Sequence, residues 1–301
     1  MKVFVAGSSG QLARALVDRA AASGVELLAL GRPDLDLERR HGAGRIAAFA
    51  PDAIINAAAY TAVDAAESDW VRAGAINRDG AAWLAGIAAQ RGTPFLHVST
   101  DYVFDGTKPA AYTEDDAPNP QSAYGRTKRA GEEAVLATSA QALIFRTAWV
   151  YSPYGQNFLK TMLRLAGERD SLRVVNDQAG NPTSAQDLAA ALLDIAGRVR
   201  QGDGDYRGIY HLAAAGETTW FGFAQEIMRL AADLGHRSVP VTPIGTADYP
   251  TPAKRPANSR LDCQRLHRDF GLRLPCWRDS LAATMQALLS AKHGEPPRKR
   301  Q

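Results

Sequence analysis

The stretch from Val3 to Leu16, VFVAGSSGQLARAL, decides the fold of this chain. Its first residues form a short apolar run that ends at Gly7, the composition of a buried strand. Leu12, Leu16 and Ala20 then recur on one face of a helical pattern that stops at Gly24. Between strand and helix lies the pattern G-x-x-G-x-x-A, with Gly7 closing the strand and Gly10 opening the helix. Glycines at such a corner let the backbone turn tightly and approach a pyrophosphate, whose charge then rests at a helix N-terminus. The pattern alone is common, and a plain tight turn is its competing reading. Its position, directly after a first strand and before an amphipathic helix, is what gives it weight. Ala13 stands where a third glycine would be, and alanine still permits close helix–strand packing.

Outward from this corner the same alternation continues. VELLAL (25–30), DAIINAA (52–58), PFLHVST (94–100) and ALIFRTAWV (142–150) are further apolar runs, rich enough to be covered on both faces. Alanine-rich helical stretches such as GAAWLAGIAAQRG (80–92) lie between them. Strand–helix alternation of this type specifies an α/β fold, a Rossmann-type doubly wound parallel sheet with helices on both sides. After about residue 150 the rhythm changes. The helical patterns NFLKTMLRLAGE, SAQDLAAALLDIAGRV and FGFAQEIMRLAADLG are separated by long loops, NDQAGNPTS (176–184) and VPVTPIGTADYPTPAKRPANSR (239–260). Long loops in a compact enzyme usually form binding walls. The expected organisation is therefore residues 1–150 for a dinucleotide, residues 151–291 mainly for a substrate with some elements packing back on the sheet, and a disordered basic tail at 292–301.

Composition narrows the partners. The 301 residues are 46% hydrophobic and 22% charged, ordinary values for a globular protein. A net charge of +3, much of it in the terminal PPRKRQ, argues for neither a nucleic-acid nor a membrane partner. Cys263 and Cys276 have no metal-ligand spacing and read as two unpaired thiols. The N-terminus lacks the long apolar stretch of a signal peptide and no run approaches a membrane span, so the expected location is the cytoplasm.

The chemistry lies in two further stretches, LHVSTDYVFDG (96–106) and SAYGRTKRAGEE (122–133). Tyr124 and Lys128, at i and i+4, project from one helical face. Thr100 sits at the end of a strand, where its hydroxyl can hydrogen-bond a carbonyl oxygen and fix its distance from the phenol. A lysine ammonium beside the phenol is expected to lower its pKa from the usual value of about 10 and ease proton exchange. Singly, these residues read as a capping threonine, a half-buried tyrosine and a solvated lysine. In this order, behind a nucleotide-type turn, they make a carbonyl-reducing set.

The motifs GSSGQL, NAAAYTAVDAAE, STDYVFDG, YGRTKRAGE, FRTAWVY, NDQAGNPTS and RPANSRL together resemble the dTDP-4-dehydrorhamnose reductase family, a branch of the extended short-chain dehydrogenase/reductases. The resemblance runs in order from residue 1 to about residue 290. It implies a smaller C-terminal sugar-nucleotide-binding region and a dTDP-sugar substrate. It places Gly7, Gly10, Gln11 and Leu12 at the dinucleotide pyrophosphate, Asp36 and Leu37 beside the adenine, and Ala59, Tyr60, Thr61 and Val98 along the cofactor. Thr100, Tyr124 and Lys128 become the catalytic set, with Lys128 also holding the nicotinamide ribose. Asp101 and Trp149 would contact the sugar nucleotide. Arg255 and Arg260 are available for its diphosphate, unless they are surface charges.

The implied reaction is reduction of dTDP-4-dehydro-6-deoxy-L-mannose to dTDP-L-rhamnose, with Tyr124 as proton donor. Alternatives are reduction of another dTDP-4-keto-6-deoxysugar, or a non-catalytic dinucleotide-binding regulatory subunit, against which the intact Thr100/Tyr124/Lys128 set argues. A dehydratase or epimerase would want an acid following Asp101, and STDY supplies none. In LLALGRPDLD (27–36), Gly31 and Arg32 follow the second strand where NAD-selective enzymes place an acid. NADPH is thus expected to serve at least as well as NADH, which Asp34 and Asp36 leave acceptable. Some relatives carry an acid on the first helix for a magnesium-linked dimer. Here QLARAL has Ala15, so no metal and no metal-bridged dimer is expected, and a homodimer of another kind stays open.

Overall fold

The computed structural model describes residues 1–290 except 140, 203 and 205; the basic tail 292–301 lies outside the described residues. Its centre is a six-stranded sheet. Strands β1 (Lys2–Ala6), β2 (Glu26–Leu30), β3 (Ala53–Asn56), β4 (Phe95–Thr100) and β5 (Leu143–Thr147) are joined by a sixth strand, Gly208–His211. The spatial order is sixth strand, β5, β4, β3, β1, β2, and every neighbour is parallel. The chain goes from β1 outward to β2, then crosses back past β1 to β3. Their C-terminal ends are therefore a topological switch point, where open α/β sheets bind ligands.

Alternating side chains give the sheet its two cores. Val3 and Val5 face helix α1 (Gln11–Ser23) and the helix Ala185–Gln201, together with Leu96, Phe145 and Tyr210. Phe4 and Ala6 face the opposite way, toward Leu84, Ala85 and Ala88 of the helix Ala81–Gln90 and Val135 of the helix Ala123–Thr138. Burial on both faces is the reason β3 and β5 read as continuous apolar runs. The run VELLAL departs from that expectation. As β2 it has a neighbour on one side only, and Leu27, Leu28 and Ala29 stay partly exposed.

A third cluster is built from the later sequence: Tyr151, Leu159, Met162, Phe223, Ile227, Trp277 and Met285 share one core, separate from both sheet faces. The segments read as long loops carry short strands. Leu172–Val175 pairs in parallel with Val241–Ile244, and Ala179–Gly180 pairs with both Thr218–Thr219 and Asn258–Ser259. These partners are tens of residues apart, so no local pattern announces them. Among the described residues no helix is long and apolar enough to cross a membrane.

Candidate active site

At the switch point a cleft of about 1190 Å³ runs from the β1–α1 corner to the start of the helix Ala123–Thr138. It exceeds the ~300–1,000 Å³ usual for one small ligand, as a site for two large ones would. Gly7 turns the chain at φ +113°, a left-handed conformation that side chains rarely adopt, and its N–H donates to the Leu30 carbonyl at 2.7 Å. Gly10 caps α1 with no side chain to hydrogen-bond the free N–H groups of the first turn, so they open on the cleft together with Gln11 and Leu12. Gln11 is also tied across the cleft: its Oε1 accepts from Ser152 Oγ and Asn157 Nδ2, each at 2.9 Å.

At the far end of this groove, Arg32, Asp36 and Leu37 line the wall. Asp36 already accepts from the Glu38 N–H at 3.0 Å, and Asp34 pairs with Arg45 at 3.2 Å. Arg32 has no ion-pair partner among the described residues. Ala59, Thr61 and Val98 line the middle of the cleft. Tyr60, between two of them, does not. Its hydroxyl donates to Asp69 at 3.1 Å and its backbone N–H to Asn77 at 2.8 Å, which turns the ring away.

The tyrosine helix begins at Ser122, whose hydroxyl accepts from the Gly125 N–H at 3.1 Å. This cap and the end of β4 bring Thr100, Tyr124 and Lys128 into one wall of the cleft. Thr100 Oγ1 donates to Asp101 at 2.9 Å and accepts from the Tyr102 N–H at 3.2 Å, so the capping reading of Thr100 also holds. Tyr102 meets Tyr124 edge-on, ring centroids 5.5 Å apart. Lys128 is 2% exposed, which removes the solvated reading.

Burial sets the protonation of this wall. It pushes the Tyr124 phenol above its ordinary value, against a lowering hydrogen bond with Thr100 and with Asp101 adding to the rise. It lowers Lys128 to about 8, Glu132 opposing, and raises Asp101 to about 6 against the hydroxyls of Ser259 and Thr100. The expectation that Lys128 lowers the phenol is therefore corrected. The lysine turns its Nζ to the Val98 carbonyl at 2.7 Å, and desolvation dominates the phenol.

On the opposite wall Trp149 holds a positive φ of 50°, unusual for a bulky residue, and stacks on Trp220 with ring centroids 3.6 Å apart. Arg255 also faces the cleft, where its two terminal guanidinium nitrogens donate to Asp64 at 3.0 and 2.8 Å. Arg260 is not brought in. Its guanidinium is held by Asn258, Glu217 and the Pro109 carbonyl, outside the cleft lining. Sequence reasoning missed Trp220, Phe158, Asn157 and Asp64, all of which line the cleft. Asn157 carried a signal, since it caps the helix Phe158–Glu168. Trp220 carried none. Among the described residues no cluster of metal-ligating side chains occurs.

A parallel doubly wound sheet with a glycine corner at its switch point, and a buried Thr–Tyr–Lys wall further along one cleft, defines a Rossmann-type oxidoreductase. The comparisons narrow the class. A family model described as RmlD substrate binding domain matches residues 1–290. A dTDP-4-dehydrorhamnose reductase of Sinorhizobium fredii is 50% identical over 96% of this chain and 98% of its own. Two solved dTDP-4-dehydrorhamnose reductases superpose closely. That of Clostridium acetobutylicum has a TM-score of 0.88 at 38% identity, covering 96% of this chain and 100% of that one. That of Bacillus anthracis, in complex with NADP, has a TM-score of 0.87 at 32% identity, covering 95% and 99%. This chain belongs to the dTDP-4-dehydrorhamnose reductase family.

Proposed function

We propose that this protein reduces dTDP-4-dehydro-6-deoxy-L-mannose to dTDP-L-rhamnose with NADPH, Tyr124 donating the proton. The observation that carries this reading is the meeting of Thr100, Tyr124 and Lys128 in one wall of the cleft that begins at the Gly7–Gly10 corner. The residues suit a dinucleotide: an N-cap without a side chain, a tight glycine turn, and, just past the second strand, an arginine with no ion-pair partner among the described residues. Gly10, Gln11 and Leu12 would hold its pyrophosphate, Ala59, Thr61 and Val98 its middle, and Lys128 its nicotinamide ribose. Residues 1–150 then serve mainly the dinucleotide, while 151–291 supply Trp149's partner Trp220 and Arg255 to the sugar-nucleotide wall.

The bound reduced nicotinamide supplies the hydride that reaches C4 of the keto sugar. With substrate bound, the Thr100 hydroxyl would turn its one proton from Asp101 to the C4 carbonyl oxygen and orient it by a hydrogen bond. Burial keeps Tyr124 protonated through neutral pH, so the phenol holds its proton until negative charge develops on the sugar oxygen, and then gives it up. Asp101, beside Thr100, orients that hydroxyl and meets the sugar. Arg255 offers its guanidinium to the diphosphate.

Arg32 reads the 2′-phosphate of NADPH. A side chain at position 31 would crowd Ser8, its Cβ lying 2.5 Å from Ser8 Oγ and 3.3 Å from the Ser8 backbone nitrogen, so the hydroxyl would have to turn away. Asp34 and Asp36 are engaged by Arg45 and by the turn backbone. The wild type should therefore show kcat/KM for NADPH at least equal to that for NADH. Arg32→Ala should lower the NADPH value about tenfold, the loss of one charge-assisted contact, and leave NADH nearly unchanged. A strong NADH preference in the wild type, or an NADPH value indifferent to the substitution, contradicts the assignment. The reaction itself is tested by NADPH oxidation that depends on the dTDP-4-keto-6-deoxysugar.

A further inference from the structure

Beneath the cleft three buried side chains form a line that ends on Lys128. Asn56 and His97 are each 1% exposed, and they belong to adjacent strands, β3 and β4, opposite each other in register. Asn56 Oδ1 accepts from the Ala58 N–H at 3.2 Å, which settles the orientation of the amide. Its Nδ2 then faces His97 Nδ1 at 3.0 Å. A ring nitrogen that accepts from an amide carries no proton, so a neutral imidazole keeps its single proton on Nε2. His97 Nε2 lies 3.4 Å from Lys128 Nζ.

This arrangement treats the two forms of the lysine differently. A neutral amine donates to the Val98 carbonyl at 2.7 Å and accepts from the imidazole N–H with its lone pair. An ammonium has no lone pair and meets the imidazole donor head-on. We propose that His97, locked by Asn56 with its proton on Nε2, is a positioning residue that biases Lys128 toward the neutral amine and sets where activity falls on the alkaline side. The inference rests on Lys128 acting in the reduction as its charged form.

Burial already lowers Lys128 and Glu132 opposes it, and the His97 contact acts on top of these two. Burial, with the Lys128 charge adding, holds His97 well below its ordinary value, so the ring is neutral through the working range. On its own helix Lys128 faces Tyr124 and Glu132, and Glu132 favours the ammonium. The other charged groups on the elements packed on this helix have partners of their own: Arg78 with Asp79, Arg72 with Glu38, Glu67 with Arg126, and Asp101 with Thr100. The helix Ala81–Gln90 brings no ionisable side chain.

Two measurements test the proposal. In the 15N-histidine-labelled protein, NMR should show His97 neutral, with Nε2 protonated and Nδ1 bare, from slightly acid to alkaline pH. In Asn56→Asp the carboxylate would draw the ring proton to Nδ1 and turn Nε2 into an acceptor for the ammonium. The alkaline limb of kcat should then move up by about one pH unit or more. The new carboxylate also acts directly, so the same substitution is made in a His97→Phe background, where the shift should be distinctly smaller. Protonated Nδ1 in the wild type, or equal shifts in the two backgrounds, overturns the proposal. Failure of the reductase reading would look different: no turnover at any pH, with the NMR arm still deciding the orientation of the ring.

Discussion

Tyr124→Phe is expected to lose about 10²–10⁴-fold in turnover while folding normally and binding NADPH with an unchanged Kd. The substitution removes one oxygen and keeps the ring. The edge-on contact with Tyr102 and the buried volume at the start of the tyrosine helix are therefore retained. What disappears is the proton that burial keeps on the phenol at neutral pH. Thr100 cannot take over the role, because it has no comparable acidity and its hydroxyl is already directed to Asp101 at 2.9 Å. Steady-state kinetics and cofactor titration of the variant decide the matter. Near-wild-type turnover would remove Tyr124 from the mechanism.

The second large effect is on stability. Arg146 and Glu132 are 1% and 0% exposed and joined by two hydrogen bonds of 2.8 and 2.7 Å, with the guanidinium 5.0 Å from the Phe104 ring centroid. Arg146→Leu leaves a buried carboxylate facing an apolar side chain, with the partly exposed Arg129 at 3.1 Å and the more distant Lys128 to compensate in part. Breaking a buried pair in this way costs about 3–5 kcal/mol, whereas an exposed pair rarely contributes more than ~1 kcal/mol. Urea unfolding of the variant should show the larger loss. The double variant Arg146→Leu/Glu132→Leu should recover much of it, because removing both charges removes the desolvation penalty. A single-variant loss near 1 kcal/mol would mean that water or backbone movement relieves the carboxylate.

The parts of this molecule legible in its sequence are those whose signal is local. The β1–α1 corner is contiguous, and its glycines stand at the positions the turn requires. Tyr124 and Lys128 share a helical face by spacing alone, and Thr100 stands at the end of a continuous apolar run. The sixth strand, GIYH, was not legible: four residues at a sheet edge carry no period, and its place beside β5 depends on a partner more than sixty residues earlier. The same holds for the short strands within the loops. Helical spacing also fixes a face and not a side-chain direction. Lys128 was therefore expected beside the phenol, whereas its amine lies against the Val98 carbonyl. Arg255 and Arg260 looked alike in RPANSRL, and only the fold separates the one that reaches the cleft from the one that Glu217 and Asn258 hold outside it.

The central claim is that hydride from NADPH reaches C4 of the dTDP-linked keto sugar in this cleft. It is tested most directly by supplying dTDP-4-dehydro-6-deoxy-L-mannose with NADPH carrying deuterium at both positions of nicotinamide C4, and reading the product by NMR. The account predicts deuterium at C4 of the sugar and the C4 configuration of dTDP-L-rhamnose, formed at a much lower rate by Tyr124→Phe. A product without deuterium at C4, or one with the opposite C4 configuration, would contradict it.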